Sequence, residues 1–401
     1  NNNRHIILFL FTFLLGVFLH QSIVIHGLGN ISIADGILVF TIICLSLCKR
    51  LNLPRFPVMA FIFFTSYILF VSFYFTPFRF SIEPNLKSFL VNYLKLLVLF
   101  LYLILGYNLA REKLLKFLIK IYSYTAFVIS IIGFVSTFIS LPTINDILFK
   151  FGNRLNGFMN DPNYFAILQI TAIPYFIESP KRKYSYFILF LLILSIISSG
   201  SKTGFVVSAI YLLFKMVEKF IKKPKNYGFK KYLNRYIYLQ FFAIFILVLI
   251  LNLESVLKYL NLKFPVTHRV TELFFDFKSS ISSGGSSRDI AWKTAFNIIL
   301  LSPIFGVGID HYLNVSMSVF NINIIAHNTY LQIAAEWGLP ISLLFLSFLI
   351  YVVYIIKNKV FLIVERDILF VFLLGSISIS LNNARFFWVI LGALIYLYKK
   401  K

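Results

Sequence analysis

Residues 88–110 read SFLVNYLKLLVLFLYLILGYNLA, and their reading settles what kind of molecule this is. The 23 residues hold one formal charge, Lys95, and apolar side chains fall on every helical face rather than along one stripe. At about 1.5 Å per residue such a helix reaches roughly 35 Å, enough to cross a hydrocarbon layer of about 30 Å. Lipid offers no hydrogen-bond partner to a backbone, so a spanning segment of this kind satisfies its peptide groups internally, as a helix.

Similar runs lie on both sides. Hydropathy predicts about twelve spans, at 6–26, 31–48, 56–76, 88–110, 114–140, 163–178, 184–199, 203–218, 236–253, 329–356, 368–381 and 386–398. The last two are short, but one long helix would carry Asn382, Asn383 and Arg385 into mid-membrane, so a hairpin is expected. With 59% hydrophobic and 13% charged residues, the chain has far more apolar side chain than a soluble interior could hide. The expected fold is all-α, one polytopic membrane domain over 1–401. Ile6–Ile25 has no small-residue cleavage site and is followed by further spans, so it reads as the first transmembrane helix. Cys44 and Cys48, four apart on an apolar helix, have neither metal-ligand spacing nor a disulfide framework and are expected to face lipid or core. No internal repeat and no pair of Gly/Pro-broken helices in matching halves, the usual mark of a secondary transporter, is present.

A formal charge of +23 would suggest a nucleic-acid partner in a soluble protein. Here 24 of the 38 Lys and Arg fall in the tails and loops of one side and 12 on the other, which the positive-inside rule explains without nucleic acid. Both termini are therefore expected in the cytoplasm, and the most basic loop, 215–235, against anionic inner-leaflet lipid. The far side carries two segments too long to be turns: 141–162, and 254–328, about 75 residues between the ninth and tenth spans. Cations placed there work against topology, and binding an anion would account for them.

The long loop holds Ser-Ser-Gly-Gly-Ser-Ser-Arg at 282–288, followed by a helical pattern over 289–301. Ser287 fits an N-cap, and Trp292, Phe296 and Ile299 recur at helical spacing, predicting a short interfacial helix with Arg288 at its start. Arg288 then either faces an anionic group or snorkels to lipid phosphate. Ser302-Pro303 ends that helix and Gly306-Val307-Gly308 makes a tight turn. Ala326-His327-Asn328-Thr329 opens the next span, with Glu336-Trp337-Gly338 two turns deeper. His327 is suited to take a proton from a hydroxyl near neutral pH, or it is an interfacial cap; Glu336 holds a partner cation or makes a structural pair. In the smaller loop, Asp161-Pro162 is an N-cap with proline at the first helical position, and Arg154 is an anion-site candidate. Lys202, in the turn Ser198-Ser-Gly-Ser-Lys-Thr-Gly204, and Lys95, inside its span, either line this site or snorkel. No metal-ligand cluster, nucleotide loop or glycosidase-type carboxylate pair stands out. Cations, one histidine and interfacial aromatics suit a phosphate-bearing lipid whose pyrophosphate leaves as a hydroxyl attacks.

The order Arg154…Gly157…Asp161-Pro162-Asn163, then Ser-Gly-Ser-Lys202-Thr, resembles the O-antigen ligase/polymerase superfamily of bacterial envelopes. So does Arg288…Trp292…Ser-Pro303…Gly306-Val-Gly308, followed by His327-Asn328-x-Tyr330-Leu331…Glu336-x-Gly338. The resemblance runs from about residue 150 to the C-terminus. It implies a C-type glycosyltransferase-like fold in the bacterial inner membrane, with the 254–328 loop and the active site periplasmic. It also implies metal-independent inverting transfer from an undecaprenyl-pyrophosphate-linked oligosaccharide, with no cofactor, His327 activating the acceptor hydroxyl and Arg288 binding pyrophosphate. Lys202 stands where relatives carry Arg, a point charge instead of a two-pronged phosphate clamp, so Arg154 or Arg385 would supply the fork. Asn328, Asp161 and Glu336 complete the expected substrate-binding set. The Asp-Pro-Asn segment favours a polymerase of lipid-linked repeat units; the alternatives are a ligase acting on lipid A core and a lipid-linked-glycan transporter. Membrane lipid and a separate chain-length regulator are the further partners this reading allows.

Overall fold

The computed structural model describes residues 2–25, 29–138, 142–151, 153–178, 184–221, 268–275 and 287–398. The span expected at 236–253, nearly all of the basic loop after 221, the Ser-Gly run at 282–286 and the terminal lysines lie outside the described residues.

Helices dominate. In chain order they are α1 (Asn2–Phe18), α2 (Ile33–Leu47), α3 (Arg55–Phe70), a π turn (Val71–Phe75), α4 (Thr76–Phe80), α5 (Leu86–Arg111) and α6 (Leu115–Phe138). Then come α7 (Pro142–Leu148), α8 (Pro162–Glu178), α9 (Ser185–Ser198), α10 (Lys202–Ile221) and α11 (His268–Phe275). The last are α12 (Arg288–Leu301), α13 (Tyr312–Phe320), α14 (Thr329–Trp337), α15 (Leu339–Ile356), α16 (Ile363–Gly375) and α17 (Arg385–Leu397). Two short antiparallel pairs modify the all-α expectation: β1 (Ile23–Ile25) with β2 (Gly29–Ile31), and β3 (Phe149–Lys150) with β4 (Arg154–Leu155). The second fixes Arg154 opposite Lys150 in a tight loop.

Four helical stretches are long and apolar enough to cross a membrane: Arg55–Phe80, Leu86–Arg111, Leu115–Thr137 and Leu339–Ile356. Four shorter apolar helices accompany them. Their outward surface carries large apolar groups such as Phe56 and Tyr74, 71% and 72% exposed, a surface suited to lipid and costly in water. About twelve spans were expected; among the described residues length and composition support this smaller set.

The main core gathers α1, α2, α5, α6, α8–α10 and α15–α17. Its tightest crossing is α5 on α17, where glycines let the backbones meet. A Cβ on Gly392 would strike the Leu103 carbonyl, and one on Gly106 the Val389 carbonyl, so neither helix can yield by turning a side chain. Gly392→Val is expected to cost about 3 kcal/mol, the upper end for overpacking. Thermal unfolding in detergent would read it, and an unchanged midpoint would contradict this account of the crossing.

The expected span 329–356 is two helices. Gly338 sits at φ 77°, ψ 161°, a region open essentially to glycine alone, and ends α14. The Leu339 amide then donates to the Pro303 carbonyl at 2.7 Å, and the Val307 and Gly308 amides donate to the Ala335 and Glu336 carbonyls at 2.8 and 2.9 Å. The Gly306-Val-Gly308 turn thus plugs the break in the helix. On its other side the π turn of the 55–80 helix closes over it: Thr76 Oγ1 donates to the Val307 carbonyl at 2.8 Å, and His311 Nε2 lies 3.0 Å from the Ser72 carbonyl. The Tyr67 hydroxyl rests against the Phe305 and Trp337 carbonyls at 2.9 and 3.0 Å.

The hairpin expected at the C-terminus is present, with α16 ending at Gly375 and residues 376–384 forming turns before α17. Charged groups separate to the two ends of the bundle. One end is a buried network: Lys215 Nζ lies 2.9 Å from Glu178, 2.8 Å from Glu218 and 2.8 Å from Asp367. Arg366 pairs with Glu218 and Asp367, and the Tyr211 hydroxyl donates to Asp367 at 3.1 Å. This joins the last turns of α8 and α10 to the first turn of α16. The candidate site forms at their opposite ends.

Candidate functional site

Four segments far apart in sequence converge where α8, α10 and α14 begin. The Thr329 amide donates to the Ser376 carbonyl at 2.9 Å and its hydroxyl to the Ile379 carbonyl at 2.8 Å, while the Leu381 amide donates back to that hydroxyl at 2.8 Å. Thr203 and Ser378 share a hydroxyl contact of 2.8 Å. The 376–384 turns are therefore the floor on which the starts of α10 and α14 are set.

His327 caps no helix; Asn328 does. Its Oδ1 accepts from the Leu331 amide at 3.1 Å, and the residue is buried. His327, just before it, is held at φ 47°, a conformation a non-glycine residue adopts at a cost, with the ring half-buried. Neither ring nitrogen makes a hydrogen bond to a described residue. Burial, then the charge of Arg288, pushes the imidazole below its ordinary value, and Asp161 opposes this in part. At neutral pH the ring is a free base. Asn328→Ala is expected to cost about 1 kcal/mol of stability and to slow any reaction that uses His327, while Asn328→Asp keeps the cap; equal rates for both variants would overturn the positioning role.

Arg288 begins α12 and makes no ion pair with a described residue. Burial and the nearby Arg269 lower its guanidinium and Asp161 raises it, though it stays charged at any working pH. Ser287 does not cap this helix through its side chain: it lies at φ 49° with no cap hydrogen bond. Nor do Trp292, Phe296 and Ile299 form one membrane-facing stripe. Ile299 is 5% exposed and Phe296 54%, because α12 buries Ala291, Thr294, Ala295 and Ile298 against α13 and α14. The helix is docked in a core of its own rather than laid flat on lipid by those three side chains.

Arg154 is buried at the end of β4, with Nε donating to the Ser199 carbonyl at 2.7 Å and Nη2 to Asn163 Oδ1 at 3.0 Å. Burial, with Arg269 beside it, brings its guanidinium down to about 10, still protonated at neutral pH. Asp161 caps α8, its Oδ1 accepting from the Asn163 and Tyr164 amides at 2.6 and 3.0 Å. Its charge is felt by Arg154, Arg288 and His327 alike, which makes it the common neighbour of the cluster.

Two of the expected cations are otherwise engaged. Lys202 Nζ pairs with Glu272 at 2.8 Å, and although burial works against it, Lys202, His268 and Arg269 hold that carboxyl low. Arg385 gives its fork to Asp35, Nε–Oδ1 and Nη2–Oδ2 both 2.7 Å, joining α17 to α2 with Tyr102 alongside. The fork expected of Arg385 therefore meets a carboxylate of the same chain. Glu336 lies inside α14, accepting from Gln332 Nε2 at 2.9 Å. Arg269 and Glu272, on α11, belong to the cluster and were not singled out in the sequence, where the His-Arg-x-x-Glu stretch at 268–272 stands among other charged residues of the loop and gives no distinctive signal.

Beside Asp161 opens a cavity of about 320 Å³. Val91, Leu94, Val98 and Leu99 of α5 give it an apolar wall, and Asn160, Tyr164, Asn383 and the Asp35–Arg385 pair a polar rim. A second cavity of about 220 Å³ adjoins it through Lys95, Leu99 and Asn383.

Cations and a histidine without a hydrogen bond to a described residue are thus gathered at one end of a helical membrane protein. Residues 187–346, about two-fifths of the chain, match the family described as O-antigen ligase, which supports the likeness to the O-antigen ligase/polymerase superfamily. Lys202, Arg288, His327, Asn328 and Glu336 lie within the matched stretch; Arg154, Asp161 and Arg385 lie outside it. No curated protein and no solved structure matches the chain.

Proposed function

We propose that this protein polymerises polysaccharide at the outer face of the bacterial inner membrane, joining undecaprenyl-pyrophosphate-linked repeat units by metal-independent inverting transfer. The observation that carries the reading is His327: strained in backbone, free of hydrogen bonds to described residues, neutral at working pH and beside Arg288. The ring takes the proton of the acceptor hydroxyl as that oxygen attacks the anomeric carbon from the face opposite the leaving group. The carbon–oxygen bond to phosphate breaks, its electron pair leaves on undecaprenyl pyrophosphate, and the configuration inverts. Arg288, with Arg269 and Arg154 near it, opposes the charge that develops on the leaving oxygen. Asp161 keeps the cluster from excessive positive potential and, with Asn160, faces the cavity where the sugar would sit.

In this orientation both termini are cytoplasmic, the site is periplasmic, and the Lys215 network lies at the cytoplasmic end, in agreement with the bias of Lys and Arg. The test is incubation of purified protein with lipid-linked repeat units alone. A ladder of multimers, absent in His327→Ala, is the expected result. Transfer only after lipid A core is added would make the protein a ligase, and passage of substrate across proteoliposomes with no product would make it a transporter.

A further inference from the structure

We propose that the smaller cavity is a saccharide subsite, holding one hydroxyl-rich sugar ring of the lipid-linked glycan next to the reaction centre. Its polar lining includes Asn92 and Lys95 of α5, Asp310 after the glycine turn, Tyr312 of α13, and Gln332 and Glu336 of α14. At about 220 Å³ it has room for a sugar unit rather than a chain.

The hydrogen bonding inside the cavity is incomplete in a way that selects the ligand. Asp310 Oδ1 accepts from Ser88 Oγ and from Asn92 Nδ2, the latter at 2.8 Å. Glu336 Oε1 accepts from Gln332 Nε2, and Lys95 Nζ donates to Asn92 Oδ1 at 3.2 Å. The Tyr312 hydroxyl, on a residue 3% exposed and beside Glu336, has no partner among the described residues, and neither has Gln332 Oε1. A buried polar group left without a hydrogen bond is costly, so a ligand that completes both is favoured. One unmade donor and one unmade acceptor, with two carboxylates and an ammonium close by, match hydroxyls that each give one hydrogen bond and take others. Trp337 and Trp388 supply ring surface in the same wall, suited to the C–H face of a pyranose. Asp310 is itself held at φ 76°, the backbone cost of aiming a carboxylate here. Lys95 and Asn383 are shared with the larger cavity, which reaches Asp161 and so the His327–Arg288 cluster.

The inference rests on the glycan-transfer reading, and its test separates the two. Full-length protein in lipid nanodiscs is titrated with undecaprenyl-pyrophosphate-linked repeat unit and, separately, with sugar-free undecaprenyl pyrophosphate. Tyr312→Phe is expected to weaken binding of the first roughly three- to tenfold and leave the second unchanged, the second also reporting that the variant is folded. Equal weakening of both, or of neither, overturns the subsite. Arg288→Ala is expected to weaken both probes. Should it weaken neither while Tyr312→Phe remains selective, the subsite stands and the pyrophosphate assignment falls. Wild-type protein that binds neither probe overturns the glycan-transfer reading and the subsite with it.

Discussion

Replacing His327 by alanine is expected to lower glycan transfer by about 10²–10⁴-fold while the protein still folds and inserts. The ring carries no hydrogen bond to a described residue. The backbone there is fixed instead by the Asn328 cap and by the Thr329 contacts to residues 376–381. Alanine, like histidine, can adopt the left-handed backbone at a modest cost, so the change chiefly removes a base. The pH profile of the wild type is a second reading of the same group. A base must be neutral to act, and this imidazole is lowered by burial and Arg288, so activity is full at neutral pH and falls only as pH drops through a value below 6.5. Normal transfer by His327→Ala, or an acid limb above 6.5, would remove His327 from the mechanism.

Lys215→Met is expected to destabilise the protein by about 3–5 kcal/mol, the usual penalty when one member of a buried ionic network is lost. Its ammonium answers three carboxylates, and Asp367 is fully buried, so methionine fills the space and leaves the charges. Adding Asp367→Asn to the same chain is expected to recover part of the loss, because the most deeply buried of those charges is then gone. Unfolding measured for the three variants in one detergent would show it. A double variant worse than the single one would mean that the Asp367 charge, paired with Arg366, still stabilises the network without the lysine.

Much of this architecture was legible in the sequence because a hydrocarbon-spanning helix is a local property. The stretch at 88–110 needs no partner to declare itself, and it is found as the helix Leu86–Arg111. The Asp161-Pro162 start of α8 and the Ser302-Pro303 end of α12 were likewise written locally. What escaped was decided by contacts across the chain. Hydropathy runs straight through Gly338, since an apolar average is blind to a glycine whose backbone leaves the helix to meet the 303–308 turn. Arg385 looked free because Asp35, its partner, lies 350 positions away. For the same reason no carboxylate pair was visible, although Asp310 and Glu336 share a cavity. At the candidate site, His327 and Arg288 could be picked out by residue type and by the side of the membrane expected for their loop. Arg269 and Glu272 could not, because only the fold brings α11 against Lys202 and Arg154.

The π turn at Val71–Phe75 constrains how the chain can change over generations. A π turn holds one residue more than the α-helical path between its ends, so it records a length as well as a shape. Deleting one of those five residues would leave the regular α-helical path, with Tyr67 and Thr76 facing as before, whereas inserting one, or deleting one outside the turn, would rotate Thr76 by about 100° relative to Tyr67. Yet Tyr67 before the turn and Thr76 after it grip the same 303–311 segment from both sides. Side chains in this stretch can drift among homologues and the turn itself can lose its extra residue, but any other change of length between Tyr67 and Thr76 would unhitch the long helix from the broken one.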